Sequence, residues 1–282
     1  MTNTNVAEFP EHEVLPLFGG YPDAYWEQHE DTMPPSPHYA LVSGRNDSTI
    51  GNIQIISNTT FSGEKDLNNY PFGTCETGAG IHQTFHRRPV VSSMDLYSPT
   101  VVMAGKGNNI LGYYMFHGGH NPVNGDRTYQ CRSSQTYRND APVTCYDFTA
   151  AVGKYGFLKP SYYYLKLINL FYNSFGDRLS STQFFPSPIP LTGLNDMNSP
   201  RISVRANEQG EGYVFINTYI RNYELSNIKN LHLEIDLFNE KINIPSLNIL
   251  TGKSIFFPLN LKMSDKNFKY ITAQPLSYIK KW

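Results

Sequence analysis

The sequence predicts an α/β part followed by an all-β part. In the first part, two apolar stretches, Tyr70–Pro89 and Gly112–Pro122, each run into glycines and polar side chains. Strands that end in this way are expected at adjacent edges of one pocket, where glycine permits tight turns. Beyond Phe184 the apolar residues recur at every second position, which is the period of a strand. We therefore expect two domains, residues 1–190 and residues 191–282.

The composition sets limits on the class of protein. The chain has 282 residues, enough for a large core, and a net charge of −1. That charge balance predicts neither a nucleic-acid partner nor attraction to an anionic membrane. Tyrosine (20) and phenylalanine (17) are abundant, and aromatic rings suit flat ligands such as sugars as well as ordinary cores. No apolar run reaches the roughly 20 residues of a membrane span, and the first residues do not form a secretory signal.

Three segments of the first part have clear local signals. The run Leu15–Phe18 ends at two glycines, which indicates a strand end or turn. Tyr70 and Phe72 lead into Glu76, so a short buried strand would carry a carboxylate at its C-terminal end. The segment Ser92–Ala104 is compatible with a helix, although Pro99 is expected to begin or break it.

A second helix is predicted over residues 161–175. Leu165, Ile168, Tyr172 and Phe175 follow one another at helical spacing and form one apolar stripe. Gly176 comes directly after this stripe and is a favourable stop signal.

The second part is predicted to contain about six strands and no helix. Alternation is clearest over Leu231–Leu237, and Asn239-Glu240 is a turn before the next run. Other strand-like runs are Ile202–Arg205, Tyr213–Tyr219, Ser254–Leu261 and Phe268–Ala273. This pattern predicts an antiparallel sandwich or partial barrel.

The residues themselves leave the chemistry open. Glu76, between a strand and a glycine turn, suits an active carboxylate or a structural ion pair equally. His82 and His86 have the spacing of a zinc motif, but Gln83 replaces its glutamate and nearby glycines and Pro89 disfavour a long helix. Loop histidines near a pocket are the favoured interpretation, so we expect no metal and no cofactor.

The stretch His117-Gly118-Gly119-His120 also has several interpretations. Glycine amides beside a histidine can hold a polar ligand, and the same residues could form a metal half-site or a simple strand-end turn. No serine-hydrolase elbow, Walker loop or dinucleotide fingerprint occurs in the chain.

Taken together, these stretches resemble glycoside hydrolase family 35, the β-galactosidases. Residues 113–121, YYMFHGGHN, closely resemble the family's Y-M-F-H-G-G-T-N motif. Val143–Gly156 resembles its S-Y-D-Y-D-A-P…E-Y-G segment, and Tyr146 and Asp147 match. Further similarity to a microbial branch of the family lies in Gly19–Asp23, Arg45–Ser48 and Thr74–Pro89.

The resemblance implies a (β/α)₈ barrel that removes terminal β-galactosyl residues with retention of configuration. Glu76 matches the nucleophile, and Tyr146 matches a tyrosine that contacts galactose. Tyr114, His117 and Asn121 belong to the matched motif and are expected to bind substrate. The partners expected are galactose-containing oligosaccharides, polysaccharides or glycoconjugates.

The chain also departs from the family. His120, Ala151 and Lys154 stand where the family has Thr, Pro and Glu, and the segment that carries the acid/base glutamate is not found. We therefore expect the C-terminal strands of an incomplete barrel, inactive without the missing N-terminal half. A secreted or lumenal location would require an upstream signal.

Two alternatives to a glycoside hydrolase also follow from the sequence. One is a non-catalytic carbohydrate-binding or structural module derived from the same family. The other is a metal hydrolase that depends on its histidines, which would require zinc bound in stoichiometric amount.

Overall fold

The computed structural model describes residues 2–3, 13, 15–21, 33–41, 70–78, 90–125, 127–128, 132–133, 138–139 and 144–279. This part of the chain is mostly β-sheet and contains two α-helices. Neither of these helices is long and apolar enough to cross a membrane.

The first part contains a parallel sheet whose strands lie side by side in sequence order. These strands are β1 (Thr2–Asn3), β2 (Pro16–Gly20), β3 (Gly73–Thr77) and β4 (Ile110–Tyr113). Because α1 (Ser93–Gly105) connects β3 to β4, these three elements form a β–α–β unit. The strand predicted to carry Glu76 is confirmed as β3. Among the described residues this sheet is open and does not close into a barrel.

Helix α1 is continuous through Pro99, so the prediction that this proline begins or breaks the helix was wrong. The start is fixed by Ser92 and Asp95, which form a reciprocal capping box. Pro99 lacks the N–H that would donate to the Asp95 carbonyl, and the Tyr39 hydroxyl lies 3.5 Å from that oxygen. Burial of nearly the whole helix offsets the missing bond.

Short two-residue strands follow β4. They are β5 (Gly119–His120), β6 (Val123–Asn124), β7 (Arg127–Thr128), β8 (Arg132–Ser133), β9 (Arg138–Asn139) and β10 (Cys145–Tyr146). The antiparallel pairs are β5 with β10, β6 with β7, and β8 with β9. The first pair connects the two sequence motifs that carry the family resemblance.

Helix α2 (Pro160–Ser180) extends beyond Gly176, where the sequence predicted its end. The added turn is fixed by tertiary contacts, because the Arg178 guanidinium donates to two backbone carbonyls of a later strand, Leu259 O at 3.0 Å and Asn260 O at 2.9 Å. Leu179 in the same turn is buried. The expected apolar stripe is present, and Phe171, which it omitted, is fully buried beside it.

The second part is antiparallel, as predicted. Its strands are β11 (Gln183–Phe185), β12 (Arg201–Ala206), β13 (Gly212–Asn217), β14 (Ile228–Leu237), β15 (Glu240–Ile249), β16 (Ser254–Met263) and β17 (Lys266–Tyr270). Five of them form a sheet in the order β11-β12-β13-β16-β17, and β14 pairs with β15 as a hairpin. The turn between β12 and β13 contains Gly210 at φ +74°, a conformation that favours glycine.

Both faces of the five-stranded sheet are covered. One face packs against the β14–β15 hairpin through a core that includes Val204, Val214 and Leu233. The other face packs against α1 and α2 through residues that include Val101, Phe171 and Phe215. The domain boundary near residue 190 stays a prediction, and the sheet begins with β11, before that position.

Candidate functional site

Glu76 lies at the carboxyl end of the parallel sheet. It is the penultimate residue of β3, and its register partner is Gly19 near the end of β2. In open parallel sheets this edge is where ligands bind. The Glu76 side chain is half-buried.

A tyrosine from the neighbouring strand holds this carboxylate. Tyr21 comes directly after β2, and its hydroxyl donates a hydrogen bond to Glu76 Oε2 at 2.5 Å. The bond orients one carboxylate oxygen. Within the described ranges, no hydrogen bond to the other oxygen, Oε1, is seen.

Three aromatic rings form a cluster that we call the ring cluster: Tyr114, Tyr146 and Phe148. The Tyr146 and Phe148 rings stack with their centroids 4.2 Å apart. The Tyr114 ring stands almost perpendicular to the Tyr146 ring, at a centroid distance of 6.2 Å, and lies 6.4 Å from the Phe148 ring.

The ring cluster is electrostatically coupled to Glu76. Burial raises the pKa of the Tyr146 phenol, and the negative charge of Glu76 raises it further. The pKa of the Cys75 thiol is raised by the same two causes in the same order. The backbone geometry agrees, because the Tyr114 amide donates to the carbonyl of Thr77, the residue after Glu76, at 3.3 Å. The ring cluster therefore lies at the sheet edge that carries Glu76.

Pairing of β5 with β10 brings Tyr146 to this edge. Tyr146 is the register partner of Gly119, and the Asn121 amide donates to Thr144 O at 3.0 Å. The Gly118 amide donates to Val152 O at 2.8 Å, which extends the contact between the two segments. Two motifs about 30 residues apart therefore form one structural unit.

Gly118 is required by this close packing. A Cβ atom added there would lie 2.6 Å from Asp147 Oδ1 and 3.0 Å from the Lys154 backbone nitrogen. A Cβ at Gly119 would meet no atom within 4 Å. Packing therefore requires glycine at position 118 but not at position 119.

The structure brings three predicted site residues together: Glu76, Tyr114 and Tyr146. His117 is exposed, and its Nδ1 lies 2.5 Å from Gly118 O, so a ring protonated at Nδ1 donates to that carbonyl. Asn121 is half-buried on the same β5–β10 unit. Contact of either residue with a substrate stays a prediction.

Two residues of the site were missed by the sequence reasoning. Tyr21 follows the glycines that end β2 and lies in the segment Gly19–Asp23 that resembles the family, but neither signal indicated a bond to Glu76. Phe148 stands two positions after Tyr146, the spacing that places residues on one face of an extended chain.

The two histidines with zinc-motif spacing, His82 and His86, lie outside the described residues. His120, which could have joined a metal site, accepts at Nε2 from Lys154 Nζ at 3.2 Å, if that ring nitrogen is unprotonated. Within the part of the chain that the structure describes, no three His, Cys, Asp or Glu side chains are grouped as metal ligands would be.

Comparison with known proteins adds no family assignment: no protein-family model matches the chain, and a search of curated proteins gives no significant match.

Proposed function

We propose that this protein binds a terminal β-galactosyl residue and that Glu76 is the nucleophile of a retaining glycoside hydrolase of the β-galactosidase type. The observation that carries the proposal is the position of Glu76. It lies at the carboxyl end of a parallel strand, accepts a hydrogen bond from Tyr21 and shares its sheet edge with the ring cluster. The choice of galactose depends on the family resemblance of residues 113–121 and 143–156.

The chemistry requires a free carboxylate oxygen and an aromatic surface. Glu76 Oε1 attacks the anomeric carbon while the bond to the departing oxygen breaks, which gives a glycosyl ester. Tyr21 orients the carboxylate through Oε2. The ring cluster packs against the apolar face of the sugar, and water later releases the sugar from Glu76.

A second carboxylate must protonate the departing oxygen. Retaining enzymes place it about 5–5.5 Å from the nucleophile. Asp147 follows Tyr146 directly, but its carboxylate is paired with Lys159 at 2.8 Å and is therefore unsuited to this role. We infer that the acid/base group belongs to the N-terminal half of a (β/α)₈ barrel, of which β2, β3 and β4 are the later strands.

A substrate with an excellent leaving group tests the nucleophile separately from the acid/base group. The reagent is 2,4-dinitrophenyl 2-deoxy-2-fluoro-β-D-galactoside. Its dinitrophenolate departs without being protonated, so the reaction requires the nucleophile but no general acid. Its fluorine slows the hydrolysis that would release the sugar from Glu76, so the glycosyl ester accumulates. The expected result is one fluorogalactosyl unit on the peptide that contains Glu76, detected by mass spectrometry. The corresponding β-glucoside is expected to react more slowly.

Two variants control this experiment. Glu76→Gln should abolish labelling, while Glu208→Gln, at an exposed position in the β12–β13 turn, should leave it unchanged. Labelling at another residue, or labelling that survives in Glu76→Gln, would refute the assigned role.

A non-catalytic sugar-binding module is the second candidate. The observation that favours it is the ion pair of Asp147 with Lys159, which leaves Glu76 as the one carboxylate near the ring cluster, among the described residues, that has no cationic partner. In that case saturation-transfer NMR would detect galactose binding at the ring cluster, and the fluorogalactoside would leave Glu76 unmodified.

A further inference from the structure

The segment that carries the ring cluster turns through an unfavourable backbone conformation. Phe148 and Thr149 have φ values of +46° and +57°. Residues with a side chain rarely adopt this left-handed region, and they persist in it only when the surrounding structure holds them. The turn over residues 147–151 therefore needs identifiable contacts.

Lys159 contacts both ends of this turn. Its Nζ donates to Asp147 Oδ2 at 2.8 Å, and its backbone amide donates to Ala151 O at 3.0 Å. Lys159 is also the N-cap residue of α2, so its backbone is held by the helix. The lysine thus connects the start and the end of the turn to a rigid element.

The remaining sides of the turn are closely packed. Gly118 approaches Asp147 so tightly that no Cβ atom fits between them. The Ala150 amide donates to Asp147 O at 2.9 Å, and Ala150 and Ala151 are fully buried. The side chains of Asp147 and Lys159 are only about a third exposed, 29% and 31%, so solvent screens their attraction incompletely.

We propose that Lys159 is a positioning residue for the sugar site, because its ion pair with Asp147 holds the turn that carries Tyr146 and Phe148, whose rings stack at the sheet edge near Glu76. This inference rests on the proposed function. Lys159 itself does not touch the sugar and acts through the two rings.

Substitution at Lys159 tests this role. Lys159→Met keeps the length of the side chain and removes the ion pair, whereas Lys159→Arg restores a cation. In fluorogalactoside labelling, Lys159→Met should raise the half-saturating concentration about three- to fivefold, the effect expected of a partly exposed ion pair. The maximal labelling rate should change less than about twofold, because Tyr21 holds Glu76 separately. Lys159→Arg should restore most of the affinity.

The control is Lys166→Met, the same substitution at an exposed position of the same helix. It should leave both parameters unchanged. A general loss of folding would lower the fraction of protein that is labelled, but it would not raise the half-saturating concentration while leaving the maximal labelling rate unchanged.

Hydrogen exchange provides a measurement that needs no sugar. Lys159→Met should speed exchange in residues 146–152 about three- to fivefold and leave β12 and β13 unchanged. Unchanged exchange in residues 146–152 would overturn the inference. Labelling of wild-type Glu76 with an unaltered half-saturating concentration in Lys159→Met would refute the positioning role alone. A wild-type chain that is never labelled would refute the proposed function and, with it, the role of Lys159 in sugar binding.

Discussion

Replacing Arg205 with methionine tests whether one guanidinium holds both helices to the five-stranded sheet. Arg205 lies on β12 and is fully buried. Burial lowers its pKa to about 10, so it is still charged at neutral pH. Its five hydrogen bonds go to Ala104 O (2.9 Å), Asn108 O (3.1 Å), Asn109 Oδ1 (2.7 Å), Leu179 O (2.8 Å) and Thr182 Oγ1 (2.9 Å). Since the first and fourth are last-turn carbonyls of α1 and α2, the cation also faces the negative ends of both helix dipoles.

The expected loss of stability follows from what each acceptor retains. Ala104 O and Leu179 O still accept from backbone amides, and Asn108 O still accepts from the Tyr172 hydroxyl. Thr182 Oγ1 keeps its own hydrogen bond to Leu179 O. Asn109 Oδ1 has no other donor among the described residues, but Asn109 is only half-buried, so water replaces part of the lost bond. A half-buried acceptor left unpaired costs about 1 kcal/mol, and the lost bond at each of the other four acceptors costs about 0.5 kcal/mol. Removing a buried charge recovers part of this total, so Arg205→Met should lower the free energy of unfolding by about 2 kcal/mol.

Urea unfolding followed by circular dichroism measures this difference. Arg205→Lys keeps the charge but has only three donors, so it should lie between the wild type and Arg205→Met. Lys166→Met, at an exposed position on α2, should unfold as the wild type does. A loss below about 1 kcal/mol in Arg205→Met would refute the reasoning, because the five bonds would then contribute no more than the burial of the charge costs.

Two further predictions concern a glycine pair and a surface carboxylate. Gly118→Ala should lower the free energy of unfolding in urea by about 1–3 kcal/mol and weaken fluorogalactoside labelling, because the added Cβ would overlap Asp147. Gly119→Ala should change neither measurement, since a Cβ there meets no atom within 4 Å. Equal effects of the two substitutions would contradict the packing argument. Hydrogen bonds from Ser199 and from other backbone amides lower the pKa of Asp196. The stability that Asp196 adds relative to Asp196→Asn should therefore be complete above about pH 4 and decline as the pH falls towards 2. A difference between their urea midpoints that stays constant from about pH 6 to pH 2 would exclude this effect.

Local patterns predicted much of the fold because they report how each segment meets the core. Alternation over Leu231–Leu237 reflects a strand with one buried face, and β14 has that burial pattern. The run into Glu76 likewise predicted β3 and its terminal carboxylate.

Two local signals gave wrong element boundaries. Pro99 and Gly176 both disfavour helix, yet α1 and α2 run through them. Each residue costs a helix a few kcal/mol at most. Burial of α1 and the contacts of Arg178 and Leu179 in α2 stabilise the helical form by more than this cost.

The site was predicted only in part, because some of its contacts join distant parts of the chain. Tyr21 and Glu76 are 55 residues apart in sequence, and their hydrogen bond exists only because β2 and β3 are neighbours. Phe148 reaches the site through a left-handed backbone that no short motif predicts.

The sequence by itself determined which segments form both helices and the long strands, though not where the helices end, and which carboxylate lies near the end of a strand, because periodicity and glycine placement act over a few residues. Only the tertiary structure decided that Tyr21 bonds to Glu76, that Tyr146 and Phe148 stack at the same sheet edge, that Lys159 holds their turn, and that Arg205 connects two helices to a sheet. Those contacts depend on strand order and on helix packing, which result from burying the whole core at once.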